Sequence, residues 1–98
     1  MPHSFRTYGL AVEFYREFKN LKLPSLLRDQ YLRALSSIAL NLKEGSAKPT
    51  KKDRVKFYFI ALGSFREIEA ILDLQSIEGF QREKANLLGA HLYRLCHH

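Results

Sequence analysis

An all-α fold, an antiparallel up-down-up-down four-helix bundle, is what this sequence predicts, as a single domain over residues 1–98. Three observations point to it. Apolar residues recur at three- and four-residue intervals in four successive stretches. Three short breaks separate those stretches, at Leu23-Pro24, at Gly45 to Thr50 and at Ser76 to Gly79, each carrying a proline or a glycine. No stretch alternates as a strand would, and there is no internal repeat or long linker. Connections this short imply antiparallel neighbours.

The first helix is expected from about Ser4, as N-cap, to Lys22. Phe5, Tyr8, Val12, Tyr15 and Phe18 form its apolar stripe, and Leu10, Phe14 and Leu21 widen it. A stripe that broad suggests burial on more than one side. Aromatics at helical spacing with few basic residues between them read as core rather than as a base-stacking surface. Leu23-Pro24 ends the helix, because a residue before proline is pushed away from helical angles.

The second helix, from a cap at Ser25 to Glu44, is the element around which the others are arranged. Tyr31, Ala34, Leu35, Ile38, Ala39 and Leu42 keep helical spacing throughout, and the small residues Ala34, Ser36, Ser37 and Ala39 would let a neighbour approach closely. Gly45 is placed to end it with a left-handed backbone angle. Thr50 should cap the third helix, with Asp53 at the third position of its first turn. That helix should run to about Ile77, with Val55, Phe59, Leu62, Phe65, Ile68, Leu72 and Gln75 on one face and Phe57, Ile60, Ala61, Ser64 and Ile71 on an adjoining one. Gly79 reads as its C-terminal signal. The fourth helix starts near Phe80 or Gln81, with a seam of Ala85, Leu88, Leu92 and Leu95 that leaves Leu87 and Tyr93 for another contact.

Sixteen Lys and Arg against ten Asp and Glu give a net charge of +6. The stretch from Lys43 to Lys56 holds six basic and two acidic residues, so most of the excess lies there. Concentrated positive charge attracts polyanions, and Lys48, Lys51, Lys52, Arg54 and Lys56 are the candidate nucleic-acid-binding residues. The competing reading is a solvated, lysine-rich loop. Against it, Lys51, Lys52 and Arg54 oppose the helix dipole at the start of the third helix, where only Asp53 suits it. Those cations have no helix-stabilising reason to be there.

Catalytic chemistry is not visible. The five glycines are scattered and build no phosphate loop. Of His3, His91, His97 and His98, only the last two are neighbours, and adjacent helical residues diverge. Cys96 beside them lacks a third group to orient a base. Glu67 and Glu69 also diverge, and no Glu-x-x-His pair suggests a di-metal bundle. The expectation is no enzyme, no cofactor and no metal. No apolar run reaches the ~18 residues of a membrane span, and the N-terminus lacks a secretory pattern. With one cysteine and no possible internal disulfide, a soluble cytoplasmic protein is expected.

Arg33-Ala34, Ser37-Ile38, Asn41 and Glu44-Gly45 match the pattern R-A-x-x-S-I-x-x-N-x-x-E-G, and Ala61, Gly63-Ser64 and Glu67 match A-x-G-S-x-x-E. With these the chain resembles the four-helix bundle family of 23S ribosomal RNA intervening-sequence proteins, which includes the accessory variability determinant of diversity-generating retroelements. The resemblance covers most of Tyr8 to Ile77. It implies an all-α bundle, a ring of five copies and no enzymatic activity. For the retroelement branch it implies binding to RNA or DNA and a reverse-transcriptase partner. Ala39, Ser46, Arg54 and Tyr8 depart from the family pattern and leave the branch open.

The signature residues Arg33, Ser37, Asn41, Glu44, Gly45, Gly63, Ser64 and Glu67 are expected to be structural, because buried polar groups in bundles usually satisfy one another. An Arg33–Glu67 ion pair would set the register of helices two and three. Asn41 and Glu44 would hold backbone N–H groups of the turn, and Gly63-Ser64 would allow close contact opposite Ala34 and Ser37. Apolar residues on several faces of the first and third helices suggest a homo-oligomer. Two functions follow: an accessory module that binds nucleic-acid backbone, or a scaffolding oligomer whose partner is another protein.

Overall fold

The structure is a computed structural model and describes residues 3–97. Four helices account for most of it: α1 (His3–Phe18), α2 (Ser25–Ser46), α3 (Lys51–Leu74) and α4 (Phe80–Cys96). Each lies alongside two others, α1 and α3 both standing between α2 and α4, and across the diagonal Phe14 of α1 meets Phe65 of α3 with ring centroids 6.5 Å apart. Pairings run in opposite directions along every adjacent pair. On α2 and α3, Gln30 meets Glu67 and Ser37 meets Ser64. Glu17 of α1 meets Lys84 of α4, and Asp73 of α3 meets Arg82 of α4. The result is the expected antiparallel four-helix bundle, and no strand occurs among the described residues.

The core is centred on α2, where Tyr31, Ala34, Leu35, Ile38 and Leu42 are all buried. From α1 it takes Thr7, Ala11, Phe14 and Phe18. This corrects the expected stripe: Phe5 is exposed, and Tyr8, Val12 and Tyr15 are half-buried on the flank. Both rows have helical spacing. The small Thr7 and Ala11 let α1 sit close to its neighbours, and the bulkier row is left beside the contact. Ser4 is not a cap, since α1 already includes His3.

α1 also ends earlier than expected, because α2 satisfies its terminal carbonyls. The Tyr31 hydroxyl, buried, donates to the Phe18 carbonyl at 2.8 Å. Arg28 donates to the carbonyls of Leu21 and Lys19 at 3.3 and 3.4 Å. Ser25 is the first residue of α2 rather than its cap; Pro24 precedes it in an extended conformation, with no side-chain cap.

Gly45 does not end α2, which continues through Ser46 to a right-handed cap at Ala47. Its reason is steric. A Cβ there would stand 2.9 Å from Tyr58 Cε1, 3.0 Å from Phe57 Cβ and 3.1 Å from the Arg54 carbonyl oxygen. Thr50 caps α3 as expected, its hydroxyl accepting from the Asp53 N–H at 3.2 Å.

The buried face of α3 is Tyr58, Ala61, Leu62, Ser64, Phe65, Ile68, Ile71 and Leu72. Tyr58 takes the place expected for Phe59, which is 46% exposed, as is Ile60 at 45%. α3 stops at Leu74 through Ser76, a non-glycine residue at φ 54°. The Ile77 N–H reaches the Leu72 carbonyl and the Ser76 N–H the Asp73 carbonyl, a Schellman ending with Ile77 packed back on the core. Gly79, expected to end α3, instead starts α4 at φ 78° and ψ −141°, a conformation open essentially to glycine. Along α4 the seam is Ala85, Leu88, Leu92 and Cys96, with Leu95 half-buried. Cys96 is thus a core residue, and burial raises its thiol pKa.

Candidate nucleic-acid interface

The turn between α2 and α3 closes one end of the bundle. Its backbone is held by Arg54, whose Nη1 donates to the carbonyls of Lys48 and Pro49, both at 3.1 Å. Lys48 pairs with Glu44 at 3.0 Å and lies over the Phe57 ring. An exposed pair of this kind contributes about 0–1 kcal/mol. Two of the five candidate binding residues therefore also shape the turn. Lys51, Lys52 and Lys56 are exposed on the first turns of α3, with Asp53 exposed among them.

The five do not share one face. Lys51 and Arg54 line a cleft of about 350 Å³ together with Val55 and Tyr58 of α3, His3 of α1, and Arg94 and Leu95 of α4. Lys52 and Lys56 lie outside it, on the outer face of α3 that continues into the exposed Phe59, Ile60 and Gly63. His3 stacks on His91 with ring centroids 5.0 Å apart. His3 Nε2 and His91 Nδ1 are both buried without a hydrogen-bond partner among the described residues. Loss of solvation holds the His91 pKa below its usual value, and the nearby His3, Arg6 and Arg94 lower it further. His3, Arg6 and Arg94 are thus basic groups of this end that sequence reasoning missed. They stand near the two ends of the chain, so no local charge run marks them.

Of the signature residues, Gly45 and Ser64 are buried in the α2–α3 contact, Ser37 and Asn41 are half-buried at its edge, and Arg33, Glu44, Gly63 and Glu67 are exposed. The Ser37 and Ser64 hydroxyls hydrogen-bond to each other at 2.7 Å, which realises the expected close contact between these helices. Asn41 donates to the Ser37 carbonyl at 2.9 Å and to its hydroxyl at 3.0 Å, not to the turn. Glu44 serves Lys48, again not the turn backbone. The expected Arg33–Glu67 pair does not form. Glu67 accepts from Gln30 Nε2 at 3.3 Å, and Arg33 is exposed beside Leu26 and Asp29 on the outer row of α2. A long charged side chain with a solvated position avoids the desolvation that a buried pair would impose. Gly63 is exposed, and among the described residues nothing lies within 4 Å of where its Cβ would stand, so it serves no close contact with them.

Among the described residues no group of His, Cys, Asp and Glu is arranged to hold a metal ion, and no helix is long and apolar enough to cross a membrane. His97 stacks on Tyr93 and meets Phe59 edge-on. His98 lies outside the described residues.

The model of a protein family described as 23S rRNA-intervening sequence protein matches residues 4–96. No curated protein and no solved structure matches the chain.

Proposed function

The chain belongs to the family of 23S rRNA-intervening sequence proteins, and on that premise we propose that it is a non-enzymatic, cytoplasmic accessory protein that binds the phosphate backbone of RNA or DNA through its basic end. The observation that carries this reading is the clustering of Lys51, Lys52, Arg54 and Lys56 with His3 and Arg94 at one end of the bundle. Arg54 is held in place by two carbonyls, and Lys52 and Lys56 are exposed, where phosphates can reach them.

One copy offers few phosphate contacts. Assembly into a closed homo-oligomer, a pentamer by family resemblance, would repeat the basic end around an axis and convert weak sites into avid ones. An apolar groove between α1 and α2, lined by Val12, Tyr15, Ala39 and the 66% exposed Leu40, supports assembly. The same groove favours the second reading, a scaffolding homo-oligomer that binds another protein and has no nucleic-acid role. Of protein partners, the resemblance points to a reverse transcriptase, and co-purification with the tagged chain tests that.

The nucleic-acid reading is tested by changing Lys51, Lys52 and Lys56 to Glu and measuring RNA and DNA binding by fluorescence anisotropy. Binding should tolerate sequence and fall about 100-fold between 50 and 200 mM salt if about four phosphates are neutralised. The triple variant should lose it with helicity unchanged. Parent-like binding by the triple variant would leave the scaffold reading.

A further inference from the structure

Where the first half of α3 runs beside the end of α4, the surface carries three exposed rings. Phe59 is 46% exposed and Tyr93 53%, and His97 is exposed between them. The His97 ring stacks on Tyr93 with centroids 4.0 Å apart and meets Phe59 edge-on at 5.5 Å. Its Nδ1 donates to the Tyr93 carbonyl at 2.8 Å, which holds the ring in this position. The cluster is therefore ordered before anything binds, and its apolar area stands in water. Lys56 precedes Phe59 by about one helical turn and Lys52 by about two, on the same outer face of α3. No acidic residue occurs in α3 between Lys56 and Glu67, nor in α4 after Glu83. The rings thus stand in a positive field.

We infer that Phe59, Tyr93 and His97 form a stacking platform for the unpaired bases of a single-stranded nucleic acid whose backbone is held by Lys52 and Lys56. Charge decides between the occupants such a face could take. An apolar protein surface would match the rings and leave the two cations unanswered. A single strand answers both, because each base has a flat π-face and each linkage carries a phosphate. A duplex answers only the cations, since its bases are stacked on one another. The inference rests on the reading of this end as a polyanion surface and goes beyond it, because phosphate contacts alone carry no preference for unpaired bases.

Fluorescence anisotropy of the full chain with a single-stranded RNA of about ten nucleotides, and with a duplex of the same length, tests this. Phe59→Ala or Tyr93→Ala, both at exposed positions, should weaken single-strand binding by about 5–150-fold, the range for losing one base–aromatic stack. Duplex binding should be unchanged. Phe59→Tyr and Tyr93→Phe keep a ring and should keep single-strand binding. The chain has no tryptophan, so Tyr93→Trp introduces a single reporter, whose fluorescence the single strand should quench and the duplex should not. Single-strand binding indifferent to both alanine variants, or an introduced indole that the bound strand leaves unquenched, overturns the inference. If that binding is still lost in the triple lysine variant, the backbone-binding reading survives the failure. A lower oligomer mass for either alanine variant in native mass spectrometry would place the rings in a subunit contact and also overturn the platform. A parent chain that binds neither strand form overturns both readings.

Discussion

Two glycines inside helices make opposite demands, and replacing each by alanine separates their causes. Gly45 of α2 faces α3 so closely that a Cβ would stand 2.9–3.1 Å from Tyr58 Cε1, Phe57 Cβ and the Arg54 carbonyl oxygen. Two of those atoms belong to or adjoin the α3 backbone, and the third is on a buried ring, so the helices themselves must move apart. Gly63 of α3 is exposed and a Cβ would meet nothing within 4 Å. Alanine is favoured over glycine in a helix by about 1 kcal/mol at either position. Overpacking a tight contact costs about 1–3 kcal/mol. Gly63→Ala should therefore stabilise the chain by up to ~1 kcal/mol, and Gly45→Ala should destabilise it by about 1 kcal/mol. Because the helix-propensity gain is common to both, their difference of about 2 kcal/mol isolates the steric contact. In a domain of this size that separates the thermal midpoints by roughly 10 °C. Urea denaturation followed by circular dichroism measures both, at a protein concentration where the assembly state is known. If the two variants shift stability in the same direction and by the same amount, the close α2–α3 approach at Gly45 is not what governs that position.

Tyr31→Phe removes the hydrogen bond that ends α1 and should cost about 1–2 kcal/mol at neutral pH, read as a lower urea midpoint with an unchanged slope. Burial raises the Tyr31 pKa above its ordinary value, so the native state holds this proton more tightly than the unfolded chain. Stability should therefore fall as pH rises above about 10, and the Phe variant should lose less there. His91 has the opposite linkage. Its folded pKa is lowered, so its contribution is present above the unfolded value of about 6.5 and is lost as pH falls through the folded one. His91→Gln should flatten stability over that window, measured as thermal midpoints across acidic buffers. The exposed Arg33 does not pair with Glu67, so the effects of Arg33→Ala and Glu67→Ala should add within about 0.5 kcal/mol in a double-mutant cycle; a larger coupling would restore the pair. If the outer face of α3 is a subunit contact, Gly63→Ala should lower the oligomer mass in native mass spectrometry while raising chain stability; an intact assembly would remove that face from the interface.

Four helices in this order, the Thr50 cap and the basic stretch from Lys48 to Lys56 are legible in the residues alone. Periodicity, capping and breaking are decided within a few positions of the chain. The core of α2 is legible for the same reason, since it carries one unambiguous apolar row. α1 offers two rows at helical spacing, and only packing selects Thr7, Ala11, Phe14 and Phe18 over the more apolar Phe5, Tyr8, Val12 and Tyr15. Packing also decides that Gly45 is a point of contact rather than a terminus, and that Ser76, not Gly79, adopts the left-handed angle that ends α3. The cleft is the clearest case. His3 and Arg94 stand near opposite ends of the sequence and carry no local signal. They meet Lys51 and Arg54 because antiparallel packing brings the start of α1, the start of α3 and the end of α4 to the same end of the bundle. Electrostatic proximity depends on distance in space, which hydrophobic packing sets.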